Sequence, residues 1–314
     1  MDWFPDEAAC FAYLEQLRWP AGFVCPRCGV RDESYRASRH RLVCRHCRSQ
    51  SSATAGTLFD KTRTPLRSWF AAVWYVTNQK HGVSALGLKR VLGLGSYQTA
   101  WTMLHRLRRA MVRPDRERLS GFVEVDETFV GGPDPGRLRK RRKTKRRGPP
   151  PVASKKSIVL IAAEMVDPKG FGRIRLRRVP AATEAHALPF VRDSIEPGSV
   201  VRTDGSQIYR SIDQYGYVRE KTVLLGSADP AHLSMPAVHR IAALLKRWLL
   251  GTHQGAVNDA QLDAYLDEFA FRFNRRSSHS RGLLFYRLLE QAVVTPPVTY
   301  AKIVAKPRNT RSRR

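Results

Sequence analysis

Apolar positions recur at helical spacing in some stretches of the chain and alternate with polar ones in others, and the two periods divide it. Phe11, Leu14 and Leu17 mark a short helix within residues 1–20, whereas residues 21–60 carry few helix signals and are built around cysteines. Residues 66–113 hold three helical patterns. The first runs through Trp69, Phe70, Val73, Trp74 and Val76. Ser84 opens the second as an N-cap and Gly93 closes it. After the turn Gly93-Leu94-Gly95, Ser96 caps a third helix that continues to about Val112.

From residue 121 the texture changes. GFVEVDETFV alternates and reads as a strand. Residues 133–156 are rich in Pro, Gly and Lys/Arg and read as a loop. SIVLIAAEMV and GRIRLRRVP follow as strands joined by Asp167-Pro168-Lys169-Gly170. A helix over 183–195, a strand SVVRTD ending at Asp204, and helices near 237–250, 259–273 and 281–293 complete the pattern. Three strands, a helix, another strand and then helices predict an α/β fold with a mixed sheet covered by helices.

Composition adds one large fact. Lys and Arg number 55 against 27 Asp and Glu, a formal charge of +28. The run RLRKRRKTKRR at 137–147 and the tail from Lys302 hold 9 and 6 basic residues, with no acid in either. Taking those from 28 leaves the rest of the chain at +13, so its body is basic too. Such a surface seeks a polyanion, nucleic acid first among them. The amino terminus lacks the basic-then-apolar layout of a secretory signal, and the longest apolar stretch, 157–166, is too short to span a bilayer. A membrane, secreted or disordered protein is excluded as a reading of the whole chain.

Cys25-Pro26-Arg27-Cys28 and Cys44-Arg45-His46-Cys47 are two CxxC knuckles 15 residues apart. Each directs two thiolates at one ion, and together they make the four-sulfur tetrahedral set that suits zinc. With every ligand supplied by protein, such a site is structural. His46 reads as an exposed knuckle residue and Cys10 as a buried small residue on a helical apolar face.

The helices at 84–92 and 96–112 have helix-turn-helix proportions. Tyr97, Gln98 and Thr99 on the first turn of the second helix can reach base edges, while Arg106, Arg108 and Arg109 further along meet phosphates. A three-helix connector with a solvated basic face has the same pattern. Arg141 and Lys143 of the basic loop are further candidates for DNA contact.

Asp126 is expected at the end of an apolar strand (Phe122, Val123, Val125), and Asp204 ends another (Val200, Val201). Carboxylates ending neighbouring strands can hold divalent metal between them, and Mg²⁺ wants oxygen ligands. Alone, each also reads as a turn-capping Asp. Glu124 points to the face opposite Val123 and Val125, and Glu127 is a reserve ligand. His239 opens the helical run HRIAALLKRWLL, with Lys246 seven residues on and so on the same face. These two read either as a metal ligand with a phosphate-touching lysine, or as a helix-start His and an exposed Lys.

VEVDETFVGG, RTDGSQIY, HRIAALLKRWLLGTHQGAV and LDEFAFRFNRR, with the cysteine segment 25–47 and YQTAWTMLHRLRRAM, resemble the bacterial insertion-sequence transposases of the DDE superfamily, of the ISXO2-like kind. The resemblance implies a ribonuclease-H-like catalytic core, a mechanism with two divalent metals (Mg²⁺ or Mn²⁺), and binding of the element's terminal inverted repeats. Asp126 and Asp204 match its first two acidic positions. The third position, usually Glu with a basic residue seven later, falls on His239, with Lys246 in place.

The domains expected are a zinc ribbon with a short helix (1–60), a helix-turn-helix domain (61–118), a ribonuclease-H-like domain (119–295) and a basic tail (296–314). The expected function is a transposase that cleaves and transfers DNA strands at element ends and in target DNA. It would act in the cytoplasm at the nucleoid, as a dimer or larger assembly, because transposition joins two ends. The rival reading is a non-catalytic DNA-binding regulator with a decayed core. A ribonuclease-H-type nuclease on RNA–DNA hybrid would not need two DNA-reading modules.

Overall fold

Helix α1 (Glu7–Arg18) starts where the Asp6 carboxylate accepts from the Ala9 N–H at 2.8 Å, which satisfies one of the donors that a helix start leaves open. It buries Cys10 and Leu14. The cysteine segment then forms a three-stranded antiparallel sheet of β1 (Ser34–Ala37), β2 (Arg41–Cys44) and β3 (Gln50–Ser51). Helices α2 (Leu66–Asn78), α3 (Ala85–Val91) and α4 (Tyr97–Arg109) follow. Ser84 and Ser96 cap α3 and α4 as their sequence predicts, accepting from Gly87 and Thr99 N–H at 3.0 and 3.1 Å. Gly93 between them takes φ +62°, a left-handed turn that favours glycine.

The computed structural model describes residues 3–113, 115–131, 156–166, 170–222, 234–255 and 257–305. Within them the chain divides into two compact units: Met1–Pro114 with Ser277–Arg314, and Asp115–Arg276. The basic loop expected at 133–156, with Arg141 and Lys143, lies outside the described residues but for Lys156, as does the tail beyond 305.

Asp115–Arg276 is built on a five-stranded mixed sheet of β4 (Phe122–Val130), β5 (Ser157–Met165), β6 (Phe171–Val179), β7 (Val200–Thr203) and β8 (Val218–Lys221), in the order β6-β5-β4-β7-β8. Strands β4, β5 and β6 pair antiparallel, and β4, β7 and β8 run parallel. This is the ribonuclease-H-like arrangement. Strand β8 falls in a stretch whose sequence shows no strand pattern: its residues Val218-Arg219-Glu220-Lys221 leave little buried, as an edge strand does.

Alternation along β4 sorts its side chains. Val123 and Val125 join Leu160, Ala162 and Val201 in one core, against α5 (Glu184–Ser194). The other face buries Val130, Val159, Ile161 and Ala163 against α6 (Pro236–His253) and α7 (Leu262–Asn274). Both cores are apolar on both sides of the sheet, as expected for a sheet covered by helices.

One boundary differs from expectation. Helix α8 (Arg281–Val294), expected to close the catalytic domain, packs instead with α1 and α2: Phe285 meets Phe4, Phe70 and Trp74, and Leu58 N–H donates to Ala292 O at 3.1 Å. The helix's own apolar stripe suits either partner, so its sequence does not choose. A short α9 (Tyr300–Val304) follows it. No helix among the described residues is long and apolar enough to cross a membrane.

Candidate metal centres

The two knuckles of the ribbon bring four sulfurs together. Cys25 Sγ lies 3.6 Å from Cys47 Sγ, Cys28 Sγ lies 3.7 Å from Cys44 Sγ, and all four fall within 4.8 Å of one another. A tetrahedron with Zn–S bonds of about 2.3 Å has edges of about 3.8 Å, so the four thiols fit one zinc ion. Each close pair takes one sulfur from each knuckle, which is how one ion would staple both ends of the ribbon. The turns that aim them match: Gly29 and Arg48, each just after the second cysteine of its knuckle, have φ +71° and +60°. His46 is exposed and Cys10 is buried.

The second centre forms where β7 ends. The last parallel rung pairs Val125 with Thr203, so the next residues, Asp126 and Asp204, lie side by side. Asp126 is the fifth of nine residues in β4, not the strand end that its sequence suggests; what ends there is the pairing with β7. Asp126 Oδ1 accepts from Glu127 N–H at 2.8 Å, and Asp204 Oδ1 accepts from Ser206 N–H at 3.0 Å. Arg219 braces this loop, its guanidinium donating to Thr203 Oγ1 at 3.0 Å and Ser206 O at 2.9 Å.

Glu127 completes the group. Oxygen atoms of Asp126, Glu127 and Asp204 lie within 4.8 Å of one another. Alternation puts Glu127 on the α5 side of the sheet, where the buried Tyr209 donates its phenol to Glu127 Oε2 at 3.1 Å. Tyr209 reaches it from a 3-10 turn, Gln207–Tyr209, that begins two residues after Gly205.

The electrostatics are those of crowded like charge. Burial, and then the charge of Glu127, push the Asp126 carboxyl up to about 7; Asp204 and Glu124 add to the push, and the Glu127 N–H opposes it. Glu127 is raised as well, by burial first and then by Asp204. Three convergent carboxylates, at least two of them held against their own ionisation, suit a hard divalent cation that would relieve the repulsion.

His239 is half-buried in the first turn of α6 and does not join this 4.8 Å group. Lys246 is exposed two turns further along the same helix. Glu124 shares the Asp126 face of β4 and is wholly buried: its Oε2 accepts from Ala237 N–H at 2.8 Å and Val238 N–H at 3.1 Å. Its sequence signal was only an acid two places before another in an apolar strand.

On α4, Tyr97, Gln98 and Arg109 are exposed, Thr99 is half-buried and its N–H is used by the Ser96 cap, and Arg106 is half-buried with its pKa lowered by burial. Arg108 is only 1% exposed. It therefore leaves the set of arginines expected to meet phosphates, because its position faces the helical core along with Leu104 and Leu107.

The sequence model of a transposase zinc-ribbon domain matches residues 5–50, and that of the ISXO2-like transposase domain matches residues 118–274, half of the chain. An uncharacterized protein in transposable element ISH50 of Halobacterium salinarum is 29% identical over 277 residues, covering 86% of this chain and 91% of its own length. A cysteine cage under the first model and a strand-end carboxylate cluster in a ribonuclease-H-like sheet under the second agree with both matches: the chain belongs to the ISXO2-like transposases.

Proposed function

We propose that this transposase binds the terminal inverted repeats of its insertion sequence and catalyses divalent-metal-dependent cleavage and transfer of DNA strands. The observation that carries the reading is the meeting of Asp126, Glu127 and Asp204 at the last rung between β4 and β7. Asp126 and Asp204 would hold the catalytic cations, His239 would complete one of them, and Glu127 stands close enough to take part. Bound there, Mg²⁺ or Mn²⁺ would activate the attacking hydroxyl and neutralise charge on the phosphodiester.

The protein's own share is positioning, since phosphoryl transfer needs little covalent help. Asp126 is held by the sheet and by the Glu127 N–H, and Asp204 by a loop that Arg219 braces. Lys246, exposed on α6, would steady a DNA phosphate near the reacting bond. Tyr97 and Gln98 at the start of α4 would face base edges and Arg109 the backbone, with the ribbon, held by zinc on Cys25, Cys28, Cys44 and Cys47, as a second DNA-reading module. Joining two ends requires two active sites, so a dimer or larger assembly would work on DNA in the cytoplasm, at the nucleoid.

The test is incubation of the full chain with candidate terminal-repeat duplexes, with and without Mg²⁺ or Mn²⁺, mapping nicks and joined products. Asp126→Asn and Asp204→Asn should bind ends as the wild type does and cut none. Binding without cleavage by the wild type in either metal would make the chain a DNA-binding regulator instead.

A further inference from the structure

We propose that Glu124 is a positioning residue for the reaction: it locks the first turn of α6, and with it His239, to the strand that carries Asp126. The inference rests on the reading of His239 as a ligand of the catalytic cation.

The start of α6 lacks a cap of its own. Met235 makes no side-chain capping bond, and Pro236 at the first position has no N–H. The next two donors, Ala237 and Val238 N–H, both go to Glu124 Oε2, from a residue 113 places earlier in the chain. A Ser or Asp beside the helix would satisfy the same groups without burying a carboxylate. Here the acceptor belongs to the central strand, so the bonds join two elements rather than finish one.

The remaining oxygen is telling. Glu124 Oε1 is buried and accepts no hydrogen bond among the described residues; the nearest cation, Arg202 Nη1, stands 3.9 Å away. Arg202 itself is engaged by Glu220 at 2.8 Å. A wholly buried carboxylate with one oxygen unsatisfied is an expensive way to cap a helix. Placement gives it a use. Glu124 and Asp126 are two residues apart on one face of β4, and His239 follows Val238 directly. Asp126, Glu124, Val238 and His239 thus form one short path through regular backbone, in which the carboxylate fixes where the first turn of α6 sits along β4. If the clasp loosens, His239 loses its placement relative to Asp126 while both core faces stay packed.

The experiment is a double-mutant cycle on Mn²⁺ affinity, measured by calorimetry on the full chain without DNA, for wild type, Glu124→Met, which keeps the length of the side chain and removes the acceptor, His239→Ala and the double variant. Thermal melting of each variant checks that it is folded, and Glu124→Asp, which keeps the charge but draws back by one methylene, runs through the same cycle should Glu124→Met not fold. Outer contacts that orient metal ligands change affinity by about 10–100-fold. Glu124→Met and His239→Ala should therefore each weaken Mn²⁺ binding by at least about tenfold, and Glu124→Met should add less than about twofold in the His239→Ala background. If the two losses multiply, or if Glu124→Met leaves affinity unchanged, Glu124 is a structural cap and the inference falls alone. If His239→Ala leaves Mn²⁺ affinity unchanged, the reading of His239 as a ligand fails, and this inference with it.

Discussion

The phenol of Tyr209 donates to Glu127 Oε2 at 3.1 Å, across 82 residues of sequence. The bond ties the turn after Asp204 to the strand that carries Asp126, so the two halves of the carboxylate group share one brace. Tyr209 is wholly buried, so its hydroxyl has no bulk water to bond in place of Glu127. Tyr209→Phe keeps the ring in the core and deletes the donor. Stability should fall by about 0.5–1.5 kcal/mol, the usual net worth of one hydrogen bond, and Mn²⁺ affinity by about tenfold. Urea unfolding and calorimetry read the two effects separately; unchanged Mn²⁺ affinity would remove Glu127 from the metal centre.

Asp126 sits among like charges that raise it to about 7, after burial has done so first. At pH 8 without metal its ionised form is therefore a burden on the fold. Asp126→Asn, neutral and of the same shape, should melt above the wild type in EDTA. Saturating Mn²⁺ should reverse the order, since a ligand at one hundred times its Kd stabilises the native state by about 2.7 kcal/mol and the Asn variant has lost a ligand. Differential scanning calorimetry with and without Mn²⁺ decides it.

The ribbon has few buried apolar residues around Cys25 and Cys44, so its order depends on the metal. Cys25→Ser, or a strong chelator, should release one zinc per chain and unfold the ribbon. The transition of Asp115–Arg276 should persist. Metal analysis with far-ultraviolet circular dichroism measures both, and wild-type protein purified without zinc would refute the assignment.

Glu164 carries the pH dependence that is easiest to isolate. Burial raises its pKa, but the Arg173 guanidinium at 2.7 Å and the N–H groups of Arg173 and Ser120 outweigh it and hold the carboxyl below its ordinary value. A depressed carboxylate contributes stability above its unfolded pKa, about 4.3, and loses it as pH falls through the lower folded value. The wild type should thus lose stability from about pH 5 downward, and Glu164→Gln should flatten that part of the curve while lowering stability at pH 7. Unfolding midpoints at pH 3.5 to 7 test the sign.

Gly172 faces the same carboxylate across β5 and β6. A Cβ there would stand 2.8 Å from both Glu164 Cβ and Glu164 Oε2. Gly172→Ala should cost about 1–3 kcal/mol, the range for overpacking, because Glu164 cannot move without leaving Arg173. A variant as stable as wild type in urea would mean that the strands part there freely.

Much of the local structure is legible in the chain because its causes are local. Ser84 and Ser96 mark helix starts, since each hydroxyl meets an N–H three residues on. The spacing of Cys25, Cys28, Cys44 and Cys47 states the metal cage, because a CxxC turn can aim both sulfurs at one point. The alternation of 122–130 and the apolar run of 157–165 state two central strands.

The detail of the carboxylate centre was decided by tertiary structure. Alternation along β4 sends Asp126 and Glu127 to opposite faces, and nothing in that pattern says they share a centre. They do so because β7 stops at Thr203, which opens the edge of β4 where both can turn toward Asp204, and because Tyr209 holds Glu127 there. Arg108 reads as a basic residue on an exposed helix, yet it is buried because α4 is covered on that side too. Glu124 reads only as an acid on the strand face opposite Val123 and Val125, yet it caps a helix that begins 112 residues later. Spacing along a chain specifies which groups can meet through a turn or along one face; which groups meet across a sheet end depends on where neighbouring strands stop and which helices cover them, and these are settled only when the cores pack.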